Sequence, residues 1–200
     1  MSIAATAPRD YLLRPWSGTL ARDVALVGGA VLLTALLAQV TIPVPGSPVP
    51  VTGQTLAVIL VGATMGMRRG VTAMGMYVLL GGLGVPLYSD GAGGLSVVAG
   101  PTGGYLIGFI LAAAVMGRLA ERGWDRTPLR TIALGVIGQA LIFAVGVPWL
   151  ALVAGLDPAE AVAAGLTPFI VGGLIKGAIA GMLLPSAWRL VRREPCSTLD

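Results

Sequence analysis

Long apolar stretches alternate with short polar segments along the whole chain, and this pattern predicts a bundle of membrane-spanning helices. An α-helix needs about 20 mostly apolar residues to cross a bilayer. No tract alternates apolar and polar residues as the strands of a membrane barrel do. We therefore expect an all-α integral membrane protein with six spans. The spans cover approximately residues 20–40, 54–67, 70–84, 103–119, 129–153 and 168–190.

The second and third spans are short, and Arg68 and Arg69 separate them. Two arginines inside one continuous span would be costly in lipid. We therefore interpret these stretches as two short spans joined at one side of the membrane. A bundle of four spans with re-entrant segments is the alternative that the pattern leaves open.

Clusters of basic residues orient the six spans. They are Arg9, Arg14 and Arg22; Arg68 and Arg69; Arg118, Arg122, Arg126 and Arg130; and Arg189, Arg192 and Arg193. The loops 41–53, 85–102 and 154–167 contain no Lys or Arg. With six spans, every cluster falls on one side, and basic loops mark the cytoplasmic side.

This orientation predicts a multi-pass membrane protein with both termini on the cytoplasmic side. We expect residues 20–190 to form the membrane domain. Residues 1–19 and 191–200 would be cytoplasmic segments.

Composition narrows the function. Charged residues make up 11% of the chain, against about 25% in soluble domains, and the mean hydropathy is +0.87. The net charge of +4 is explained by the membrane-orienting clusters, so we expect no nucleic-acid partner. Histidine is absent and cysteine occurs once, which argues against a metal site. No phosphate-binding loop or catalytic motif occurs, so we predict neither an enzyme nor a cofactor.

Lys176 is the one basic residue deep inside an apolar stretch. A buried cation in lipid is costly and needs a partner. We favour a position facing a wet cavity, where Lys176 would contact an anionic or strongly polar solute. Two alternatives remain: a lipid-facing side chain that reaches the interface, and a pairing with a backbone carbonyl or polar side chain.

Other polar residues lie near the predicted outer ends of the spans. Gln54 follows a proline-rich outer loop, Tyr105 opens the fourth span, and Gln139 lies inside the fifth. Gln139 would equally serve as a contact between helices, and Tyr105 as an interface anchor. The second outer loop is rich in glycine, and its apolar run 95–99 is a candidate lid; a plain flexible connector is the alternative.

Small residues recur at four-residue spacing on two faces of the first span, which favours close approach of another helix. One face carries Ala21, Ala25 and Gly29, and the other carries Ala30, Thr34 and Ala38.

Two stretches resemble a known family. The run SPVPVTGQTLAV (47–58) resembles the first outer loop of the BioY family, and GPTGGYLIGF (100–109) resembles another of its motifs. The last span looks like that family's last helix, and the resemblance covers about residues 20–190. BioY proteins are the biotin-binding S components of energy-coupling factor (ECF) transporters.

The resemblance implies a six-helix bundle with a substrate cavity near the outer face. It implies biotin as transported substrate, the lipid bilayer of the bacterial inner (cytoplasmic) membrane as surroundings, and a transmembrane coupling protein with ABC-type ATPases as partners. Self-association into a homo-oligomer stays open. The small-residue faces of the first span are similar to the family's coupling surface.

Lys176 matches a typical lysine of the family that contributes to biotin binding. An acid often precedes that lysine by three positions, where this chain has Gly173, and Asp90 is a candidate substitute. The candidate substrate-binding residues are Lys176, Asp90, Gln54, Tyr105, Tyr88, Gly93, Gly94, Thr102 and Gln139. Alternative functions are an S component for another vitamin such as thiamine, a passive small-solute channel and an intramembrane enzyme.

Overall fold

The computed structural model describes residues 12–13 and 19–191. The predicted terminal segments, 1–19 and 191–200, lie almost wholly outside the described residues. The helices are α1 (Leu20–Ala38), α2 (Gln54–Gly82), α3 (Leu95–Ala99), α4 (Gly103–Ala120), α5 (Pro128–Ala154), α6 (Pro158–Gly165) and α7 (Phe169–Val191). The strands β1 (Thr41–Ile42) and β2 (Val51–Thr52) form an antiparallel pair. Five of these helices, namely α1, α2, α4, α5 and α7, are long and apolar enough to cross a membrane.

Helix α2 is a hairpin of two antiparallel arms. Gly66 interrupts it with φ 74° and ψ 175°, a conformation that side chains other than hydrogen disfavour. A Cβ atom on Gly70 would lie 3.5 Å from the Cα of Gly62. The side chains of Gln54 and Tyr77 are 2.6 Å apart, whereas a straight helix would separate them by roughly 35 Å. The chain therefore reverses at Gly66.

We call the two halves the first arm (54–65) and the second arm (67–82) of α2. With this reversal the described residues form six long helical segments, namely α1, the two arms of α2, α4, α5 and α7, which confirms the predicted six-helix bundle. Arg68 and Arg69 directly follow the turn, as expected for a short connection at the membrane surface. The arms correspond to the predicted spans 54–67 and 70–84.

The bundle is ordered around the α2 hairpin. The hairpin packs against α1 and α4, α4 packs against α5, and α5 packs against α7. Glycines permit the closest helix contacts: a Cβ on Gly108 would lie 2.9 Å from the Cα of Ile142. Large apolar side chains such as Leu152 and Val171 point outward, 83% and 68% exposed. Such a surface matches lipid rather than water.

The two faces of α1 differ. Three of its small residues are buried inside the bundle, 6% exposed or less: Ala30, Thr34 and Ala38. The other three are exposed: Ala21, Ala25 and Gly29. The Ala30–Thr34–Ala38 face therefore packs inside the bundle. Of the two faces, the Ala21–Ala25–Gly29 face is the one that remains exposed.

The connections at the end of the bundle opposite the arginine clusters contain more structure than the hydropathy pattern indicates. Helix α6 begins with a reciprocal capping box, in which Asp157 accepts from the backbone of Glu160 and Glu160 accepts from the backbone of Asp157. Pro158 occupies its first turn, where a missing N–H costs nothing. The apolar run predicted as a lid forms α3, and its Val97 and Val98 pack against the core.

Candidate functional site

A small cavity lies at the end of the bundle opposite the arginine clusters. It is formed where β2 leads into the first arm of α2, and where α4 and α7 begin and α5 approaches its end. Its volume is about 50 Å³. The lining residues are Val49, Pro50, Thr52, Gln54, Thr55, Tyr88, Ser89, Val97, Thr102, Tyr105, Leu106, Phe109, Ile142, Phe143, Phe169 and Lys176.

Lys176 lines this cavity from the third turn of α7. Its Nζ donates hydrogen bonds to the backbone carbonyl of Thr52 at 2.5 Å and to Oγ1 of Thr55 at 2.8 Å. No carboxylate forms a salt bridge with it within the described residues. The position of Lys176 therefore combines two of the three alternatives considered from the sequence: the ammonium faces the cavity, and it also has protein acceptors. Its positive charge remains available to an anionic ligand.

A chain of hydrogen bonds continues from Thr52 across the same end of the bundle. The Thr52 hydroxyl donates to Oε1 of Gln54 at 2.7 Å, and Nε2 of Gln54 donates to the Tyr77 hydroxyl at 2.6 Å. Tyr77 in turn donates to the carbonyl of Leu87 at 2.9 Å. Because Gln54 and Tyr77 are 7% and 0% exposed, these partners satisfy groups that water does not reach. The chain fixes the Gln54 amide at the cavity wall.

Aromatic rings form the wall across the cavity. The Tyr105 ring stacks on Phe169, with centroids 6.3 Å apart, and meets the Phe143 ring edge-on. The Tyr105 hydroxyl donates to the carbonyl of Gly165 at 2.9 Å, which ties α4 to the end of α6. This bond directs the hydroxyl toward α6. Tyr105 therefore offers the cavity chiefly its ring.

Tyr88 closes the cavity from the glycine-rich loop between α2 and α3. Its hydroxyl donates to the carbonyl of Val78 at 2.7 Å, and burial raises the pKa of the hydroxyl to about 12. It is therefore protonated at neutral pH and remains a donor. Gln39 holds the loop, because its side chain donates to the carbonyl of Tyr88 and accepts from the N–H of Gly91.

The structure brings together five of the candidate binding residues at the cavity: Lys176, Gln54, Tyr105, Tyr88 and Thr102. The other four do not line it. Asp90 is exposed and accepts a hydrogen bond from Thr41 at 2.9 Å, so it does not stand in for an acid beside Lys176.

Gly93, Gly94 and Gln139 have structural contacts outside the cavity. A Cβ on Gly93 would lie 2.6 Å from the carbonyl oxygen of Val85, and Gly94 has φ +102°; both positions suit a tight turn. Gln139 donates to the carbonyl of Gly173 at 3.0 Å. A Cβ at Gly173 would collide with the Gln139 side chain, so this amide occupies the space beside Gly173.

Several lining residues escaped the sequence reasoning. Thr55 directly follows Gln54 and begins a long apolar run, so it did not stand out as a polar candidate. The chain has three phenylalanines, and all of them line the cavity: Phe109, Phe143 and Phe169. The hydropathy pattern does not distinguish these phenylalanines from core or lipid-facing residues, so it did not mark them as lining residues. In the described part of the chain, no cluster of three or more metal-ligating side chains occurs.

This fold and this site define a class. The protein is a multi-pass helical membrane protein with a small, mostly apolar pocket that converges on one cation, which is the arrangement of a small-solute binding site.

Comparison with known proteins gives the family. A model of the BioY family matches residues 7–193, and the chain belongs to this family. It is 37% identical to the "Biotin transporter BioY" of Rhizobium etli over 81% of this chain and 90% of that protein. It is also 37% identical to the "Biotin transporter BioY" of Thermotoga maritima over 84% of this chain and 96% of that protein.

A solved structure shares the fold. The S-component for biotin from an ECF-type ABC transporter superposes with a TM-score of 0.74 at 22% identity, covering 88% of this chain and 96% of that one. The six-helix architecture predicted from sequence is therefore that of an ECF S component. The named relatives are transporters and not enzymes.

Proposed function

We propose that this protein is the substrate-binding membrane subunit of a biotin uptake system. The observation that carries the proposal is the aromatic pocket with Lys176 at its wall, in a chain that belongs to the BioY family. Biotin combines an apolar bicycle and aliphatic chain with a ureido group and a carboxylate. The pocket offers matching chemistry: Phe109, Phe143 and Phe169 for the apolar parts, and polar groups for the two ends.

Lys176 is the proposed partner of the biotin carboxylate. Its Nζ already reaches the cavity with two protein acceptors, Thr52 and Thr55, and no described acid neutralises it. A ligand carboxylate would add a hydrogen bond between two ionised groups, which is shorter and stronger than a hydrogen bond between neutral groups. Gln54, with its amide held by Thr52 and Tyr77, is the proposed partner of the ureido group.

Binding requires the cavity to grow. A volume of about 50 Å³ is well below the roughly 300 Å³ at which small-molecule pockets begin. The helices around it are tightly packed, whereas the covering parts are short outer segments: the β1–β2 connection, the Tyr88 loop and α3. We infer that these segments move outward to admit biotin and pack over it afterwards.

Transport would need an external source of energy, because the sequence has no nucleotide-binding motif. We propose that a transmembrane coupling protein with ABC-type ATPases supplies it. The exposed α1 face with Ala21, Ala25 and Gly29 is the proposed contact, since small residues let a partner helix approach closely. The proposed orientation places the termini and Arg68–Arg69 in the cytoplasm and the pocket at the outer surface of the inner membrane.

Isothermal titration of the purified protein with biotin, without ATP, tests the proposed substrate. Saturable binding of biotin, and none of thiamine, is the expected result. Protein pre-saturated with biotin is the control and should give only dilution heat. If thiamine binds and biotin gives no heat, the substrate assignment is wrong while the pocket stands.

Labelling of single cysteines in intact cells tests the orientation. In a Cys196→Ser background, Ala92→Cys should react with a membrane-impermeant maleimide, and Arg122→Cys, exposed in the turn that follows α4, should not. Labelling of Arg122→Cys and protection of Ala92→Cys would reverse the orientation.

A further inference from the structure

A second concave region, separate from the pocket, runs between α1 and the second arm of α2. We call it the α1–α2 groove. Its volume is about 790 Å³, far larger than that of the pocket. The walls are aliphatic, with Val24, Val27 and Leu32 from α1 and Met76 and Leu80 from the second arm.

The groove has the length of a lipid chain. Along α1 it extends from Leu20 to Leu32, a rise of roughly 18 Å. Half of a bilayer's hydrocarbon core measures about 15 Å. The middle of the groove is open because Gly28 lacks a side chain, and a Cβ placed there would meet nothing within 4 Å.

The charges of the groove lie at one end only. Asp23, Arg68 and Arg69 line the end near the turn of α2. Asp23 and Arg69 form a salt bridge of 2.7 Å, so their charges compensate each other. The guanidinium of Arg68 is exposed and forms no ion pair in residues 19–191. One positive charge is thus left over at the mouth of an aliphatic groove.

We propose that the α1–α2 groove binds an anionic phospholipid of the leaflet on the arginine side, with one acyl chain along α1 and the phosphate on Arg68. The arrangement matches both parts of such a molecule: an apolar channel one leaflet long, and an uncompensated cation at the depth of the headgroups. The Thr72 hydroxyl also lies in the groove. It already donates a hydrogen bond to the carbonyl of Arg68, so it does not need a polar partner from the lipid.

Native mass spectrometry of the full-length protein in mild detergent tests this proposal. The probes are dioleoyl phosphatidylglycerol and dioleoyl phosphatidylcholine, which share acyl chains and differ in net charge. We expect preferential binding of phosphatidylglycerol. A basic residue near an anionic lipid surface contributes about fivefold in affinity, so Arg68→Gln should remove about that much of the preference, and Arg68→Lys should keep most of it.

Gly28→Phe tests the acyl-chain half of the proposal, because its ring would fill the open middle of the groove. It should weaken binding of both lipids. Gly75→Phe is the matched control: it also has open space around the added Cβ but does not line the groove, so lipid binding should be unchanged. A thermal unfolding curve for each variant confirms that it is folded.

Three results would overturn the proposal. The first is equal binding of the two lipids by the unmodified protein. The second is an unchanged preference in Arg68→Gln. The third is a Gly28→Phe protein that binds lipid normally but no longer co-purifies with a coupling protein, which would make the groove a protein interface.

Discussion

The pocket and the α1–α2 groove are two recesses of one bundle, and they are built in opposite ways. The pocket is about 50 Å³ in volume, lined by aromatic rings, and its polar groups already have protein partners. The groove is about 790 Å³, aliphatic and open, and ends at Arg68, which forms no ion pair in the described part of the chain. A ligand entering the pocket must displace or join existing hydrogen bonds, whereas a ligand in the groove only fills space.

This difference predicts different kinds of selectivity. In the pocket, a ligand that fails to match the polar groups leaves them buried and unpaired, which costs about 1–3 kcal/mol for each group. In the groove, any chain of suitable length fits, and selection acts through charge alone. The pocket is therefore expected to discriminate among small molecules, and the groove only among lipid headgroups.

The largest expected effect of a single substitution is on biotin binding by Lys176→Met. It deletes the cation of the pocket while keeping similar length and apolar bulk. Hydrogen bonds to charged groups contribute about 1.5–3 kcal/mol, so affinity should fall roughly 10- to 150-fold. Equilibrium titration with biotin measures the change.

Arg189→Met is the matched control for Lys176→Met, because it removes an exposed cation from the far end of the same helix. The affinity of the Arg189→Met protein for biotin should be unchanged. A folded Lys176→Met protein with full affinity would give Lys176 a purely structural role, as the link between α7 and the carbonyl of Thr52.

A second comparison concerns stability. Tyr77→Phe removes the hydroxyl between Gln54 and Leu87, leaving the buried amide donor of Gln54 and the half-buried carbonyl of Leu87 without this partner. The free energy of unfolding should fall by about 1–3 kcal/mol. Thr72→Val, on the same arm but in the groove, removes an exposed hydroxyl and should change it by less than about 0.5 kcal/mol.

Unfolding of both variants in detergent, followed by circular dichroism, measures this contrast. If both substitutions lowered the free energy of unfolding equally, the hydrogen-bond chain at the pocket would stabilise the protein no more than the Thr72 hydroxyl in the groove does. The proposed difference between the two regions would then be wrong.

The smallest expected effect is kinetic. The Trp149 indole donates to the carbonyl of Gly100 at 2.9 Å and fastens the segment that joins α3 to α4. Trp149→Phe keeps a ring and deletes this bond, which is worth about 1 kcal/mol. Biotin should associate and dissociate several-fold faster in stopped-flow measurements, with little change in affinity. Unchanged rates would mean that this segment does not move during entry.

Much of the fold was predictable from sequence, because membrane spans depend on local hydropathy. Positive charges limited where spans begin and end, and the reversal at Gly66 was implied by Arg68 and Arg69. Helix α6 and the β1–β2 pair were not predicted. Short elements of this kind depend on tertiary contacts, although the Asp157–Glu160 capping signal was visible.

The site was predictable to the extent that polar residues stand out in apolar spans. Lys176, Gln54 and Tyr105 could be found this way. Phe143 and Phe169 could not, since an apolar side chain in a span reads equally as core or as lipid contact. The path of the glycine-rich loop also was not predictable, and it carries Asp90 away from the cavity.

One measurement tests the central claim, that Lys176 recognises the ligand's carboxylate, most directly. Biotin and its uncharged carboxamide are titrated into the unmodified protein and into Lys176→Met. The account predicts that the unmodified protein prefers biotin by at least roughly tenfold, and that Lys176→Met loses this preference. The same preference in both proteins would contradict it.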